Sequence, residues 1–316
     1  MKGSSNEKFV VPVKFIDIED IGFNCKKCVL NERIDYLKEL KETIDHIRNG
    51  GKKRTKAIWL ETSGCYGEII SLLNGEDPDI IYMLKEIIDI HYFGSINGNE
   101  GEVAYERILE VLQEEYIFIV SGAIPTRDNG LYTVVANYKG EKITAMKAVS
   151  DISKGAKYVI AVGTCACYGG PTAAKPNVSQ AKGVSEYLNR KDIINIPGCP
   201  VNPCWLIAIL GYLVRYGKMQ LDAEGRPIAY YGYTIHEKCE RRRFFDAGIF
   251  AEKFGEDTCM FKLGCKGPMT YAYCPISRWN EGTNWPIGDN TNCIGCAASN
   301  FPDWDNGLVN YGGKTI

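Results

Sequence analysis

Between His236 and Cys296 the chain sets one histidine and six cysteines within 61 residues: His236, Cys239, Cys259, Cys265, Cys274, Cys293 and Cys296. They fall into two groups. The first opens His-x2-Cys and continues to Cys259 and Cys265. The second is Cys274, followed by the pair Cys293-x2-Cys296. The last 85 residues are rich in glycine, asparagine and aromatics, with little helical or strand periodicity beyond residues 243–254. So irregular a segment cannot easily build an apolar core of its own, and metal ligation would supply the missing folding energy.

Thirteen cysteines in 316 residues are too many for idle core thiols and too sparse for a disulfide scaffold. The odd count excludes a complete disulfide framework, and clustered thiolates in a long chain point to metal. A formal net charge of -2 gives no basic field for nucleic acid. Met1 to Glu7 lack an apolar signal core and a twin-arginine pair, and the longest apolar run, residues 205–214, is too short to span a bilayer. These features lead to the expectation of a cytoplasmic chain with no transmembrane segment, any membrane association running through a partner.

Three parts are expected: an extension over 1–56, an α/β domain over 57–230 and a cysteine-bearing domain over 231–316. The extension holds a candidate strand over 10–18 and the pair Cys25-x2-Cys28. A helix capped by Asn31 follows, with Ile34, Leu37, Leu40, Ile44 and Ile47 on one face and Gly50-Gly51 as its stop. The lone C-x2-C is a metal half-site, a redox pair or two spare thiols. From residue 57, strands over 57–61, 116–120, 158–162 and 193–196 alternate with helices over 79–90, 105–115, 142–154 and 203–216. This βαβ rhythm predicts a parallel sheet covered on both faces. Its glycine turns carry Cys65, Cys165 and Cys199, at the carboxyl ends of strands, where open α/β sheets bind ligands. Glycine beside each cysteine lets the backbone approach and donate N–H bonds to sulfur.

After residue 56 the chain resembles the small subunit of nickel–iron hydrogenases. The likeness rests on Trp59-Leu60-Glu61 leading to Gly64-Cys65-Tyr66-Gly67, on Gly122-Ala123-Ile124-Pro125-Thr126, and on Gly163-Thr164-Cys165-Ala166. It continues through Ile196-Pro197-Gly198-Cys199-Pro200-Val201-Asn202-Pro203 and the whole span from His236 to Cys296. The resemblance implies a flavodoxin-like domain with a proximal iron–sulfur cluster, then an irregular domain with medial and distal clusters. His236, Cys239, Cys259 and Cys265 would hold the distal 4Fe-4S cluster. Cys274, Cys293 and Cys296 would hold the medial one. Pro286 falls where a fourth cysteine would make it 4Fe-4S; proline offers no ligand atom, so a 3Fe-4S cluster is expected. Electrons from hydrogen oxidised at a nickel–iron site in a large subunit would pass along that line to an external redox partner protein. The assembly would be a heterodimer or a dimer of heterodimers, and this chain, inactive alone, would be an oxidoreductase component.

The proximal motif departs from the family. Matching Trp59 and the run Ser71-Leu72-Leu73 puts Glu68 where the family's Cys-x2-Cys has its second thiolate. Three outcomes stay open: Glu68 ligates iron through its carboxylate, the cluster is 3Fe-4S on Cys65, Cys165 and Cys199, or Cys167 or Cys204 substitutes. A first-turn acid could also be a solvated residue favoured by the helix dipole. Ser121 stands where relatives often carry glutamate, so no proton-relay role is transferred to it. Two other readings compete with the electron relay. One is a hydrogen sensor with the same clusters, signalling to a regulatory partner. The other is a structural zinc protein, for which Cys25/Cys28 and Cys293/Cys296 have the spacing. An iron–sulfur subunit of respiratory complex I would show adjacent cysteines, and no Cys-Cys dipeptide occurs.

Overall fold

The computed structural model describes residues 54–99, 101–311 and 314–315, together with Asp45. Cys25, Cys28, the strand over 10–18 and the apolar helix face of the extension lie outside the described residues. Five strands form one parallel sheet: β1 Thr55–Glu61, β2 Ile88–Phe93, β3 Tyr116–Ser121, β4 Tyr158–Val162 and β5 Ile194–Ile196. Their spatial order is β2-β1-β3-β4-β5. Every residue of β3 is buried, as a central strand covered on both faces requires. Its alternation decides which layer each side chain joins. Ile117 and Ile119 join one core with helix α5, Pro203–Tyr216. Phe118 and Val120 join another with helices α2, Gly101–Val111, and α3, Ala145–Ile152.

Helix α5 matches its predicted span because its signals agree. Asn202 caps it by accepting the Cys204 N–H, Pro203 opens it, and Gly217 ends it at φ 82. The core on this face continues into Tyr231, Ile235, Tyr273, Ile276, Trp285 and Ile287. The C-terminal segment thus lays its apolar residues on α5, keeping only a small cluster of Ala251, Met260 and Leu263 for itself.

Three elements differ from the sequence reading. The helix expected over 79–90 is a single turn, Ile80–Tyr82, capped by the Asp79 carboxylate, then a π-turn, Met83–Ile87. From Ile88 the chain is strand, because β-branched Ile88 and Ile90 can pair along the open edge of β1, with Thr55 opposite Ile88. A hairpin, Val134–Tyr138 with Glu141–Thr144, was not foreseen; Lys139 and Gly140, both at positive φ, form its two-residue turn. The periodic stretch over 243–254 is helical only at its start, in the helix Arg242–Asp246.

At the carboxyl end of β1, Trp59 stacks on Phe93 at 4.4 Å and donates its indole N–H to Ser121 Oγ at 2.9 Å. All three residues are buried. Ser121 is therefore the acceptor that lets a tryptophan lie inside the sheet. Ser121→Ala should leave that N–H unpaired and lower the unfolding free energy by about 1–3 kcal/mol, measured by denaturant unfolding.

Candidate functional site

The turn after β1 carries Cys65 and opens helix α1, Gly67–Leu73. It lies against Gly122, where φ is +93 and a Cβ would come within 2.9 Å of Ser63. The turn after β4 carries Cys165 on helix α4, Thr164–Tyr168, and the turn after β5 carries Cys199. Thr164 ties the last two turns together. Its N–H donates to Gly198 O at 2.8 Å and its hydroxyl oxygen accepts the Gly198 N–H at 3.0 Å. The same hydroxyl donates to Cys296 O, pinning the C-terminal segment to the sheet edge. Thr172 donates to Cys165 Sγ at 3.5 Å.

Glu68 is not a solvated helix residue. It is buried, its carboxylate accepts the Val201 N–H at 2.8 Å, and a Cβ on Gly163 would lie 2.1 Å from its Oε1. Burial pushes its pKa up to about 7, against the lowering effect of the Val201 bond. Glu68 thus bridges Gly163, which precedes the Cys165 helix, and Val201, two residues past Cys199, and so belongs to the same site as Cys65, Cys165 and Cys199. Burial, then Cys296, Cys165, Glu68 and Cys65, push the Cys199 thiol up to about 12. Cys65 and Cys199 nevertheless open to the surface, and the turn and helix after Cys65 expose the apolar side chains Tyr66, Ile70 and Leu73.

The two substitute thiols stand apart. Cys167 is buried in the α2/α3 core and donates its S–H to Ala161 O at 3.3 Å, as a neutral thiol does. Cys204 packs on the α5 core, where burial, then Glu281 and Asp77, push its thiol up to about 12.

The next set is Cys274, Cys293 and Cys296. Burial pushes Cys274 up to about 12 and Cys293 well above the ordinary thiol range. Cys293 is acted on by Cys265, Cys296 and Cys274. Pro286 lies exposed in the loop between Cys274 and Cys293, its carbonyl accepting the N–H groups of Asp289 and Thr291 and the Thr291 hydroxyl. The third set, His236, Cys239, Cys259 and Cys265, lines one small pocket with Arg241, Gly267 and Ile287. Phe245 packs edge-on to His236 at 4.6 Å and to Phe261 at 5.3 Å. Burial, then Arg242, lowers the His236 pKa, favouring the neutral imidazole that ligates metal.

Two features fit these sets to iron–sulfur groups. First, the N–H two residues beyond a cysteine donates to its sulfur in all three: Gly67 to Cys65 at 3.3 Å, and Arg241 to Cys239, Gly267 to Cys265 and Gly295 to Cys293, each at 3.4 Å. Such bonds stabilise thiolate and cluster sulfur. Second, buried thiols resist ionising by themselves, and bound metal supplies the positive charge that deprotonates them. Among the described residues no three such side chains converge closely enough to hold one ion. A structural zinc needs four donors about 2.0–2.3 Å from a single point. Donors spread around a pocket suit a group that gives each its own iron. N–H bonds to sulfur were expected at the sheet turns, and Gly67 makes one there; their repetition at Cys239, Cys265 and Cys293, and the roles of Thr164 and Thr172, were not foreseen.

A parallel α/β sheet edged with thiol-bearing turns, continued by an irregular cysteine-rich segment, defines an iron–sulfur redox protein. Comparison makes the class specific. Residues 231–308 match the family of C-terminal domains of the NiFe/NiFeSe hydrogenase small subunit, and residues 65–213 match the family of the 20 Kd subunit of NADH ubiquinone oxidoreductase. The chain is 36% identical over 279 residues to the periplasmic [NiFeSe] hydrogenase small subunit of Desulfomicrobium baculatum, covering 82% of this chain and 88% of that one. It is 37% identical over 265 residues to periplasmic [NiFe] hydrogenase small subunit 1 of Nitratidesulfovibrio vulgaris, covering 81% of each. The reduced, active Ni-Fe-Se hydrogenase of Desulfomicrobium baculatum superposes with a TM-score of 0.76 at 36% identity, over 79% of this chain and 97% of that one. The chain belongs to the small-subunit family of nickel–iron hydrogenases. It is an oxidoreductase component of the kind that carries iron–sulfur clusters and pairs with a large subunit.

The expectation of a cytoplasmic location is corrected by these relatives, two of which are named periplasmic. The first residues of this sequence do not fix the compartment of such a chain. Among the described residues no helix is long and apolar enough to cross a membrane.

Cys167→Ala should leave iron and sulfide content unchanged and cost about 1–2 kcal/mol of stability, as loss of a small core group does. Cys165→Ala should lose proximal iron. Metal analysis of the two variants, purified anaerobically, measures the contrast.

Proposed function

We propose that this chain relays electrons between the nickel–iron site of a large subunit and an external acceptor during hydrogen oxidation. The observation that carries the reading is the continuity of the three sulfur sets. Thr164, next to Cys165, donates its hydroxyl to the Cys296 carbonyl, and Lys266, next to Cys265, donates its N–H to the Cys293 carbonyl at 2.8 Å. Each set is thus tied by a hydrogen bond to the next, and the first of them opens to the surface at Cys65 and Cys199.

Cys65, Cys165 and Cys199 would hold the proximal cluster, with Glu68 giving its carboxylate as the fourth donor and keeping it 4Fe-4S. Cys167 and Cys204 play no part. Cys274, Cys293 and Cys296 would hold a medial 3Fe-4S cluster, with Pro286 in place of a fourth ligand. His236, Cys239, Cys259 and Cys265 would hold the distal 4Fe-4S cluster. When bound, these groups supply one-electron carriers whose potentials respond to charge, hydrogen bonding and exposure. The protein's part is to hold them at fixed spacing and keep water from all but the ends. Tyr66, Ile70 and Leu73 are exposed on the turn and helix that follow Cys65, apolar area costly to leave in water, and the large partner chain would cover it. On this reading residues 57–230 carry the proximal site and residues 231–316 the other two.

The test is anaerobic purification with the large subunit. About eleven irons and about twelve sulfides per chain, and hydrogen-dependent reduction of a dye, are expected; a colourless or zinc-bearing preparation sinks the reading. Slow turnover with a tightly bound regulatory protein would instead favour the hydrogen sensor. Pro286→Cys should abolish the 3Fe signal of the oxidised enzyme in electron paramagnetic resonance and lower the medial potential. Survival of that signal would overturn the medial assignment. Glu68→Cys should change the proximal cluster's spectrum and lower its potential by replacing a hard oxygen with a softer, more donating sulfur. An unaltered spectrum would remove Glu68 from the ligand set.

A further inference from the structure

A lysine sits between the medial and distal sulfur sets, and the relay as described gives it no task. Lys266 follows Cys265 directly, and its backbone N–H donates to Cys293 O at 2.8 Å. Its side chain is folded inward, leaving the residue 1% exposed. Nζ donates to Asn306 Oδ1 at 2.6 Å and lies 5.3 Å from the centre of the Trp304 ring. Among the described residues no carboxylate pairs with this ammonium. The fold treats another buried cation differently: Arg226 is bound by the Asp222 and Glu224 carboxylates. An ammonium taken out of water without a counter-charge is strongly disfavoured. The side chain borders both sets: Lys266 is bonded to Cys265 in the chain, and its Cβ would lie 3.0 Å from a Cβ placed on Gly295, between Cys293 and Cys296.

We propose that Lys266 is a shared positioning charge for the medial and distal clusters, a fixed cation between them that favours the reduced form of both and so raises both potentials. This rests on the cluster assignment above. Reduction adds one negative charge to either cluster, and a nearby buried cation stabilises that charge more than it would in water. In return the clusters supply the counter-charge that the protein withholds. One side chain acts on two neighbouring stations of the wire together. It therefore moves them in step and leaves the driving force between them nearly constant.

A merely structural lysine is the competing explanation, since Asn306 and Trp304 belong to the C-terminal loop that Lys266 tethers. Redox titration of the heterodimer, followed by electron paramagnetic resonance, separates the two. Lys266→Met removes the charge and keeps much of the volume. At a fixed potential it should lower the ratio of reduced to oxidised medial and distal cluster at least tenfold, which is about 59 mV for a one-electron couple. The proximal potential should stay put, and Lys266→Arg should restore the other two. Asn306→Ala cuts the tether but keeps the charge, and should leave both potentials near their original values. Asn306→Asp, at an exposed position, sets a carboxylate against the ammonium and should lower both. If Lys266→Met keeps its iron with both potentials unmoved, the proposal is overturned. It is equally overturned if Asn306→Ala shifts them as far as Lys266→Met does. If Lys266→Met fails to retain iron, the Asn306→Asp result decides, a fall supporting the proposal and no change overturning it. Iron missing from the unsubstituted heterodimer would instead defeat the cluster reading beneath it.

Discussion

Two hydrogen bonds hold the functional line of this protein together: the Thr164 hydroxyl on the Cys296 carbonyl and the Lys266 N–H on the Cys293 carbonyl. Each reaches from one sulfur set into the next. Both end on main-chain carbonyls and start from a residue adjacent to a cysteine, so the spacing of the sets does not depend on the rotamer of a long side chain. The rest of the fold brings those two contacts to their positions. The parallel sheet ends β4 and β5 side by side, Thr164 clamps the turns that follow them, and its hydroxyl anchors Cys296 from the far part of the chain. The C-terminal segment gains its burial from α5 and its local order from the sulfur sites.

Much of the sheet could be read from the residues, because central strands such as β3 are continuous apolar runs and α5 announces both its ends. The edge strand β2 could not. Its isoleucines suit a helix face or a strand equally, and the open side of β1, a tertiary fact, decides between them. The hairpin over 134–144 was missed because its turn residues, Lys139 and Gly140, lack the usual Asn-Gly signal. The C-terminal segment shows the opposite balance. Its backbone follows no period, yet its cysteine and histidine spacing is dense enough to group candidate ligands before any fold is known.

The sites themselves were legible as sets of residues and not as environments. Spacing grouped His236 with Cys239, Cys259 and Cys265, and the four do line one pocket. What spacing does not carry is which thiols stay neutral. Cys167 lies two residues past Cys165, but a helical step turns it to the opposite layer, where it donates to Ala161. Nor does spacing reveal that Glu68 points inward or that Lys266 is buried, since both are charged residues that usually face water. In each case a contact from a distant element, Val201 for one and Asn306 for the other, sets the outcome.

The meeting of Glu68 with Gly163 has an evolutionary consequence. Position 163 has no room for even a methyl group while the longer carboxylate occupies that space, and its backbone is left-handed besides. The two positions therefore cannot drift independently. A lineage that keeps the acid must keep the glycine, and one that trades the acid for a shorter side chain is released from half of that bond, the steric half, while the left-handed backbone still argues for glycine.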